Sequence, residues 1–184
     1  MTTDVKELPA VFGISGFKGS GKTTVGRLLA QATKLPVMHL ADPIKDIVKK
    51  VDPYDSAGIL LSTHLSIGGE AKAKQDHDTY RHTLREVGEG VREVVPVFWL
   101  SALAQRAQGM HAVIVPDVRL PIEADVCRIL INVTRPGVES DGHSTERDMT
   151  GYATHHLAND GDLADLAAKV QQIVDDLELE PNEY

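Results

Sequence analysis

The run Gly16-Phe17-Lys18-Gly19-Ser20-Gly21-Lys22-Thr23 constrains this chain more than any other feature. It has the form G-x-x-x-x-G-K-[ST] and stands between an apolar run, Ala10 to Ser15, and a helical pattern that starts at Lys22. Glycines let the backbone curl so that successive N–H groups point inward at phosphate oxygens. The unpaired N–H groups and positive dipole end of the following helix add to the attraction. At this spacing Lys22 is predicted to reach the β- and γ-phosphates of a nucleotide, and the Thr23 hydroxyl to ligate Mg²⁺. Gly16, Gly19, Ser20, Gly21 and Thr24 complete the expected cradle. Lys18 either adds charge to it or is a solvated loop lysine. The cradle by itself does not separate a transferase from a GTPase or ATPase switch, although no guanine-reading N-K-x-D run is present.

The rest of the chain supplies strands and helices in alternation. Val25, Leu28, Leu29 and Ala32 fall on one helical face, and Pro36 ends that pattern. Strands are predicted over Val37 to Leu40, Ala112 to Val115, Ile129 to Thr134 and His155 to Ala158, in addition to Ala10 to Ser15. Helices are predicted from Asp42-Pro43 to about Lys50, from Asp76 to about Val95, over Val97 to Gln108, briefly over residues 121 to 128, and along the stripe Leu163 to Leu177. Residues 51 to 75 have weak periodicity and read as a loop-rich connection. This order implies a parallel sheet with helices on both faces. Ligands in such sheets lie beyond the carboxyl ends of the strands. The polar residues Asp42, Asp117, Arg119, Arg135, Asn159 and Asp160 all follow predicted strands.

Composition narrows the partners. The net charge of -8 opposes generic binding to a nucleic-acid backbone. A small polyanion can still be held where basic residues converge. The single cysteine, Cys127, excludes an intrachain disulfide and fits a reducing cytoplasm. No stretch approaches the apolar length of a membrane span, and the first nine residues do not read as a signal peptide.

Four segments hold candidate residues for the acceptor side of a phosphoryl transfer, which needs positive charge around the moving group. In Leu40-Ala41-Asp42-Pro43-Ile44-Lys45, Asp42 is a plain N-cap, or orients the acceptor or the magnesium water shell, or acts as a base; Lys45 is a binding or a solvated lysine. In the second segment, Arg81, Arg85 and Arg92 recur at spacings of 4 and 7, so one helix face carries three guanidiniums suited to phosphate oxygens. The alternative is an exposed face paired with Glu86, Glu89 and Glu93. Phe98-Trp99 beyond it either stacks on a base or packs in the core. In the third, Asp117 ends a buried strand and stands where a carboxylate holds Mg²⁺ through water, or caps a turn; Glu123 can pair with Arg119. In the fourth, Arg135 and Arg147 border a polar stretch, residues 136 to 151, that reads as a flap able to exclude water or as a surface loop. His155-His156 and Asp76-His77-Asp78 lack convincing metal-ligand spacing and read as surface or strand histidines.

Taken in series, GFKGSGKTT, LADPIK, R-x-x-L-x-x-x-G-E-x-x-R with the following FW, VIVPDVRLPIEA, INVTRPG with HSTE, and AND-G-D-L-A-D-L resemble the phage-type deoxynucleoside monophosphate kinases. The series spans residues 13 to 166. The resemblance implies a single α/β domain with the three-layer P-loop kinase fold. It implies about five parallel strands, a helical acceptor-binding insert at about 51 to 110 and a small lid at about 136 to 151. It implies ATP as donor, Mg²⁺ as metal and a deoxynucleoside monophosphate as acceptor. Lys22, Thr23 and the loop glycines would take ATP. Asp42, Arg81, Arg92, Asp117 and Arg119 would line the acceptor side, with Arg135 and Glu146 in the lid. With Lys45, Arg85, Glu89 and Trp99 these form the expected acceptor set; Lys22, Asp42, Asp117, Arg119 and Arg135 are the expected catalytic group. Arg85 stands where the family pattern has Gln, and no Thr lies near Gly88-Glu89. The attacking oxygen would be an ionised phosphate, so the arginines matter more than a carboxylate base. Related small-metabolite kinases, acting on dephospho-coenzyme A or phosphomevalonate, and a non-catalytic nucleotide switch are the alternatives. A homodimer is compatible with the family, but no apolar stripe in the sequence requires one.

Overall fold

The computed structural model describes residues 9–140, 142 and 147–177. Four strands, β1 (Ala10–Ser15), β2 (Ala112–Val115), β3 (Cys127–Thr134) and β4 (His155–Ala158), form one parallel sheet in the order β2-β1-β3-β4. All of β2 is buried, as is β1 from Phe12 onward. Runs that are apolar on both sides suit a parallel sheet covered on both faces. Because β1 lies between β2 and β3, the loop leaving its carboxyl end emerges in the interior of the sheet rather than at an edge.

Two helices cover one face. Val25 and Leu29 of α1 (Lys22–Thr33) share a buried cluster with Leu166, Val170, Ile173 and Val174 of α7 (Leu163–Asp176) and with Phe12, Ile14, Ile114 and Ile131 of the sheet. α7 begins with a reciprocal cap: Asp162 accepts from the N–H groups of Ala164 and Asp165, and Asp165 accepts from Asp162 N–H at 3.1 Å. On the other face, a side chain at Gly13 would come within 2.5 Å of Cys127 Sγ and 3.0 Å of Leu130 and Val118. Neighbouring side chains therefore rest directly on the β1 backbone there.

The strand expected over Val37 to Leu40 is reduced to one bridge. Val37 pairs in parallel with Ile114, through Met38 N–H to Ile114 O and Ile114 N–H to Pro36 O, both at 2.9 Å. The chain then turns at Leu40-Ala41 into α2 (Asp42–Val51). Proline supplies no donor before the bridge and the helix removes the residues after it, so the ladder cannot extend. Among the described residues the sheet thus has four strands, not about five.

By contacts the chain divides into two compact units, Leu40–Leu103 and the remainder. The first contains α2, α3 (Leu61–Asp76), α4 (Tyr80–Val94) and the start of α5 (Phe98–Arg106). Val48, Leu61, Ala73 and Tyr80 form its buried centre. The stretch read as loop-rich holds helix α3, broken at Gly68 and at Gly69 (φ 68°, ψ −170°). That break rotates the two halves out of phase, so no single helical period runs through the segment. Ahead of α3, Asp55 accepts the Ile59 and Ala57 N–H groups and approaches His64 Nε2 at 2.9 Å. The His64 ring meets buried His77 edge-on at 5.1 Å, and His77 Nε2 lies 3.0 Å from Pro53 O. In the other unit, α6 (Pro121–Ala124) joins β2 to β3, and a 3₁₀ turn, Thr150–Tyr152, precedes β4. Part of the expected lid, including His143 and Glu146, lies outside the described residues.

Candidate phosphate-binding site

The loop after β1 has the backbone that its glycines foretell. Gly16, Gly19 and Gly21 sit at φ 133°, 88° and 108°, where L side chains are strained. A side chain at Gly16 would overlap the carbonyl oxygen of Val133, and one at Gly21 would lie 2.5 Å from Asn159 Nδ2. Ser20 N–H closes a turn onto Phe17 O at 3.1 Å. Helix α1 starts with Gly21 as N-cap and no side-chain cap hydrogen bond. Its first amides and its positive end are therefore not satisfied by a capping side chain.

Lys22 crosses this loop. Its Nζ donates to Gly16 O at 2.6 Å and Phe17 O at 2.7 Å. Thr23 is exposed on the first turn of the helix, Thr24 half-buried, and Lys18 exposed at the tip. The Ser20 hydroxyl is buried with no hydrogen-bond partner among the described residues. A buried hydroxyl left in that state costs about 1–3 kcal/mol. An uncapped helix end, an ammonium and an unsatisfied hydroxyl around one glycine loop are a donor-rich set that fits a phosphate chain.

The strand ends next to the loop carry the other candidates of this unit. Asp117 follows β2, and its Oδ2 lies 3.8 Å from His39 Nδ1. Thr23, His39 and Pro116 line one groove of about 440 Å³ together with Arg27, Gln31 and Lys34. Thr23 and Asp117 follow the carboxyl ends of the neighbouring parallel strands β1 and β2. Arg119 is exposed, but its backbone is fixed: Glu123 Oε2 accepts the Arg119 N–H at 2.7 Å and the Leu120 N–H at 3.1 Å. The expected pairing of Glu123 with Arg119 thus goes to the main chain. Arg135 is exposed just past β3, in a turn closed by Val138 N–H on Arg135 O at 3.1 Å. That turn leans over the loop, since a side chain at Gly19 would come within 3.9 Å of Val138.

Within Leu40–Leu103 the acceptor candidates are tied into helix packing. Asp42 is the first residue of α2 and Ala41 is its cap, so Asp42 does not cap the helix; its carboxylate takes Lys45 Nζ at 3.1 Å. Lys45 also reaches Glu70 at 3.4 Å, and Glu70 holds Lys74 at 2.6 Å and Lys49 at 3.6 Å. Burial pushes the Lys45 pKa down, but the hydrogen bond to Asp42 and the charge of Glu70 outweigh it, and the net shift is upward. Burial likewise pushes Glu70 up, and the Lys74 hydrogen bond and charge, followed by Lys45, hold it below its ordinary value.

Arg81, Arg85 and Arg92 lie on α4 at the expected spacing; Arg81 and Arg85 are exposed, Arg92 and Glu89 half-buried. Arg81 Nε donates to Lys74 O at 2.9 Å, so part of this guanidinium joins α4 to α3. Trp99 is 2% exposed and its Nε1 donates to Gly88 O at 2.9 Å. It packs in the core and is not placed to stack on a base. Phe98, edge-on to it at 4.9 Å, is the exposed ring of the pair.

Two residues at or near these sites, Glu70 and Asn132, went unrecognised in the sequence, and the partner of a third, Asn159, was not visible there. Glu70 follows the Gly69 break, where no period marks a helix. Asn159 stands at the carboxyl edge, where polar residues are expected, but nothing local reveals its bond to Ser20 O at 2.9 Å. Asn132 is buried in β3 and accepts from Ser15 Oγ at 3.0 Å, just ahead of the loop; an isolated Asn in an apolar run gives no hint of that partner.

The parallel sheet, the glycine loop after its interior strand and the helix that continues the loop define an α/β protein with the P-loop kinase fold. A curated relative carries the resemblance further. The chain is 26% identical over 194 residues to a protein of Acanthamoeba polyphaga mimivirus named "Putative deoxynucleotide monophosphate kinase", with 90% of this chain and 96% of the relative covered. Among solved structures, TT1252 from Thermus thermophilus matches with a TM-score of 0.53 at 19% identity, over 93% of this chain and 99% of that one. Dephospho-CoA kinase from Campylobacter jejuni matches with a TM-score of 0.47 at 12% identity, covering 91% of this chain and 96% of that one. No family model matches the chain. Among the described residues no helix is long and apolar enough to cross a membrane, and no three His, Cys, Asp or Glu side chains converge as a metal site.

Proposed function

We propose that this chain transfers the γ-phosphoryl group of ATP to a deoxynucleoside 5'-monophosphate, giving the diphosphate and ADP. The observation that carries the reading is Lys22 lying across a loop whose three glycines hold left-handed φ angles, two of them, Gly16 and Gly21, with no room for a side chain. The motif series and the name of the mimivirus relative support the choice of acceptor.

In this reading the loop amides and the first turn of α1 hold the β- and γ-phosphates. Lys22 leaves its two carbonyl oxygens for the phosphate chain, which offers it a full negative charge in place of two dipoles. Magnesium, when bound, would shield phosphate charge, held by the Thr23 hydroxyl and, through water, by Asp117. The acceptor is a phosphate already ionised at neutral pH, so its oxygen attacks without a strong base. Arg119, on its fixed backbone, and Arg135, at the turn beside Gly19, neutralise charge that builds between donor and acceptor. Asp42, Lys45, Arg81, Arg85, Glu89 and Arg92 form the acceptor set. Arg81 and Arg92 carry most of the acceptor phosphate's charge in this account. Trp99 leaves the set. Glu146 remains assigned to the lid by resemblance alone. The proposed working compartment is the cytoplasm, with no nucleic-acid or membrane partner, and a homodimer is left to direct measurement.

The test is an acceptor panel with ATP and Mg²⁺: the four deoxynucleoside monophosphates, the matching ribonucleotides and dephospho-coenzyme A, scored by ADP release. The expected result is release that depends on at least one deoxynucleoside monophosphate. Release with dephospho-coenzyme A alone, or slow hydrolysis indifferent to every acceptor, would falsify the reading.

A further inference from the structure

Asn159 joins the sheet to the phosphate loop by two bonds of different kinds. Its main-chain N–H donates to Thr134 O at 2.8 Å, which extends the β3–β4 ladder by one rung and anchors its Cα at the carboxyl edge. Its side-chain Nδ2 donates to Ser20 O at 2.9 Å, across 139 residues of sequence. The amide fills the space that a side chain at Gly21 would need, 2.5 Å from the position of that Cβ.

The Ser20–Gly21 peptide is bounded on its far side by a left-handed residue, Gly21 at φ 108°, and the residue before Ser20, Gly19, is also left-handed at φ 88°. A glycine on one side widens the range over which such a unit can rotate as a plate. In a trans peptide the C=O and the following N–H point in opposite directions. Holding Ser20 O against Asn159 therefore turns the Gly21 N–H the other way, and that N–H has no hydrogen-bond partner among the described residues. We propose that Asn159 is a positioning residue for the donor site: it locks the Ser20–Gly21 peptide so that the Gly21 N–H is presented to the nucleotide phosphates. This rests on the assignment of the loop to ATP. Asn159 need not touch the nucleotide; it fixes a donor before the nucleotide arrives, which removes an ordering cost from binding.

Two changes, one a truncation and one isosteric, separate this role from a packing role. Asn159→Ala removes the side-chain bond. Asn159→Asp keeps the shape, cannot donate to Ser20 O, and sets a negative charge beside the loop. Both keep the main-chain bond to Thr134 O. ATP affinity, measured by calorimetry on the full chain with Mg²⁺, is expected to fall about tenfold for Ala, the worth of one such hydrogen bond, and about a hundredfold for Asp, which adds repulsion of the phosphates. The acceptor KM is expected to stay within twofold in both. Thermal midpoints of the two variants should agree within a few degrees, so the gap in affinity between them cannot be a fold effect. ATP affinities within twofold of the unsubstituted chain in both variants would sink the inference and leave the loop assignment standing. Equal losses of affinity and stability in both would also sink it. An unsubstituted chain that binds no ATP overturns the loop assignment, and this inference with it.

Discussion

At the end of β1 one lysine lies on two backbone carbonyls; in the helical region Leu40–Leu103 three lysines converge on the single carboxylate of Glu70. The first arrangement is made by main chain. Its geometry depends on φ angles and on the absence of Cβ atoms, so few sequences support it. The second is made by side chains on helices, where a charge can be supplied from several positions and any one contact is weak. The contrast teaches where function can be read with precision and where it can drift. A glycine cradle is fixed in form, whereas a surface made of side chains, such as the one proposed to choose the acceptor, is free to vary.

The largest effect that would break this contrast comes from the cradle. Lys22→Ala is expected to cut acceptor-dependent ADP release by about 10²–10³-fold, with the far-ultraviolet dichroism unchanged; near-normal turnover would remove Lys22 from the mechanism. Gly16→Ala follows. The new Cβ would overlap Val133 O at a left-handed residue, and unfolding by denaturant should show a loss of about 2–3 kcal/mol together with ATP binding. The helical region should respond more mildly and more selectively. Arg92→Ala is expected to raise the acceptor KM about tenfold with ATP affinity intact. Trp99→Phe, which gives up the bond to Gly88 O, should cost about 1 kcal/mol of stability and leave the acceptor KM alone. A changed base preference in Trp99→Phe would return that ring to the acceptor site.

The smallest effect concerns pH. The folded pKa of Glu70 lies below its unfolded value, so its contribution is present above the ordinary carboxylate range and fades as pH falls through the folded pKa. Glu70→Gln should lower the thermal midpoint slightly at neutral pH, by the equivalent of about 0.5 kcal/mol for a partly exposed ion pair. The difference should close in acid. A gap that persisted well below the carboxylate range would mean that Glu70 acts through packing rather than charge.

The two regions were also unequally legible. The strands at Ala10–Ser15 and Ala112–Val115 stand where their short apolar runs placed them, because a strand buried on both faces announces itself in composition; His155–Ala158 is also a strand where one was expected, although only Leu157 of it is buried. Val37 to Leu40 has the same look and forms only a bridge, since Pro36 and the turn into α2 limit it from both sides. In the helical region, Gly68-Gly69 hid α3 by shifting its phase, and Glu70 was lost with it. The arginine spacing on α4 was visible, but the use of Arg81 Nε on Lys74 O was not. Neither was the burial of Trp99, because an aromatic residue carries the same letter whether it faces a core or a ligand.

The sequence by itself determined the cradle, for conformations that only glycine adopts leave a mark at fixed spacing, and it determined the parallel α/β order through the alternation of short apolar runs and helical stripes. The tertiary structure alone decided what holds the cradle in place. Asn159 and Asn132 reach Ser20 and Ser15 from strands more than a hundred residues away. A hydrogen bond of that kind depends on the register and order of strands in space, which no local pattern of residues encodes.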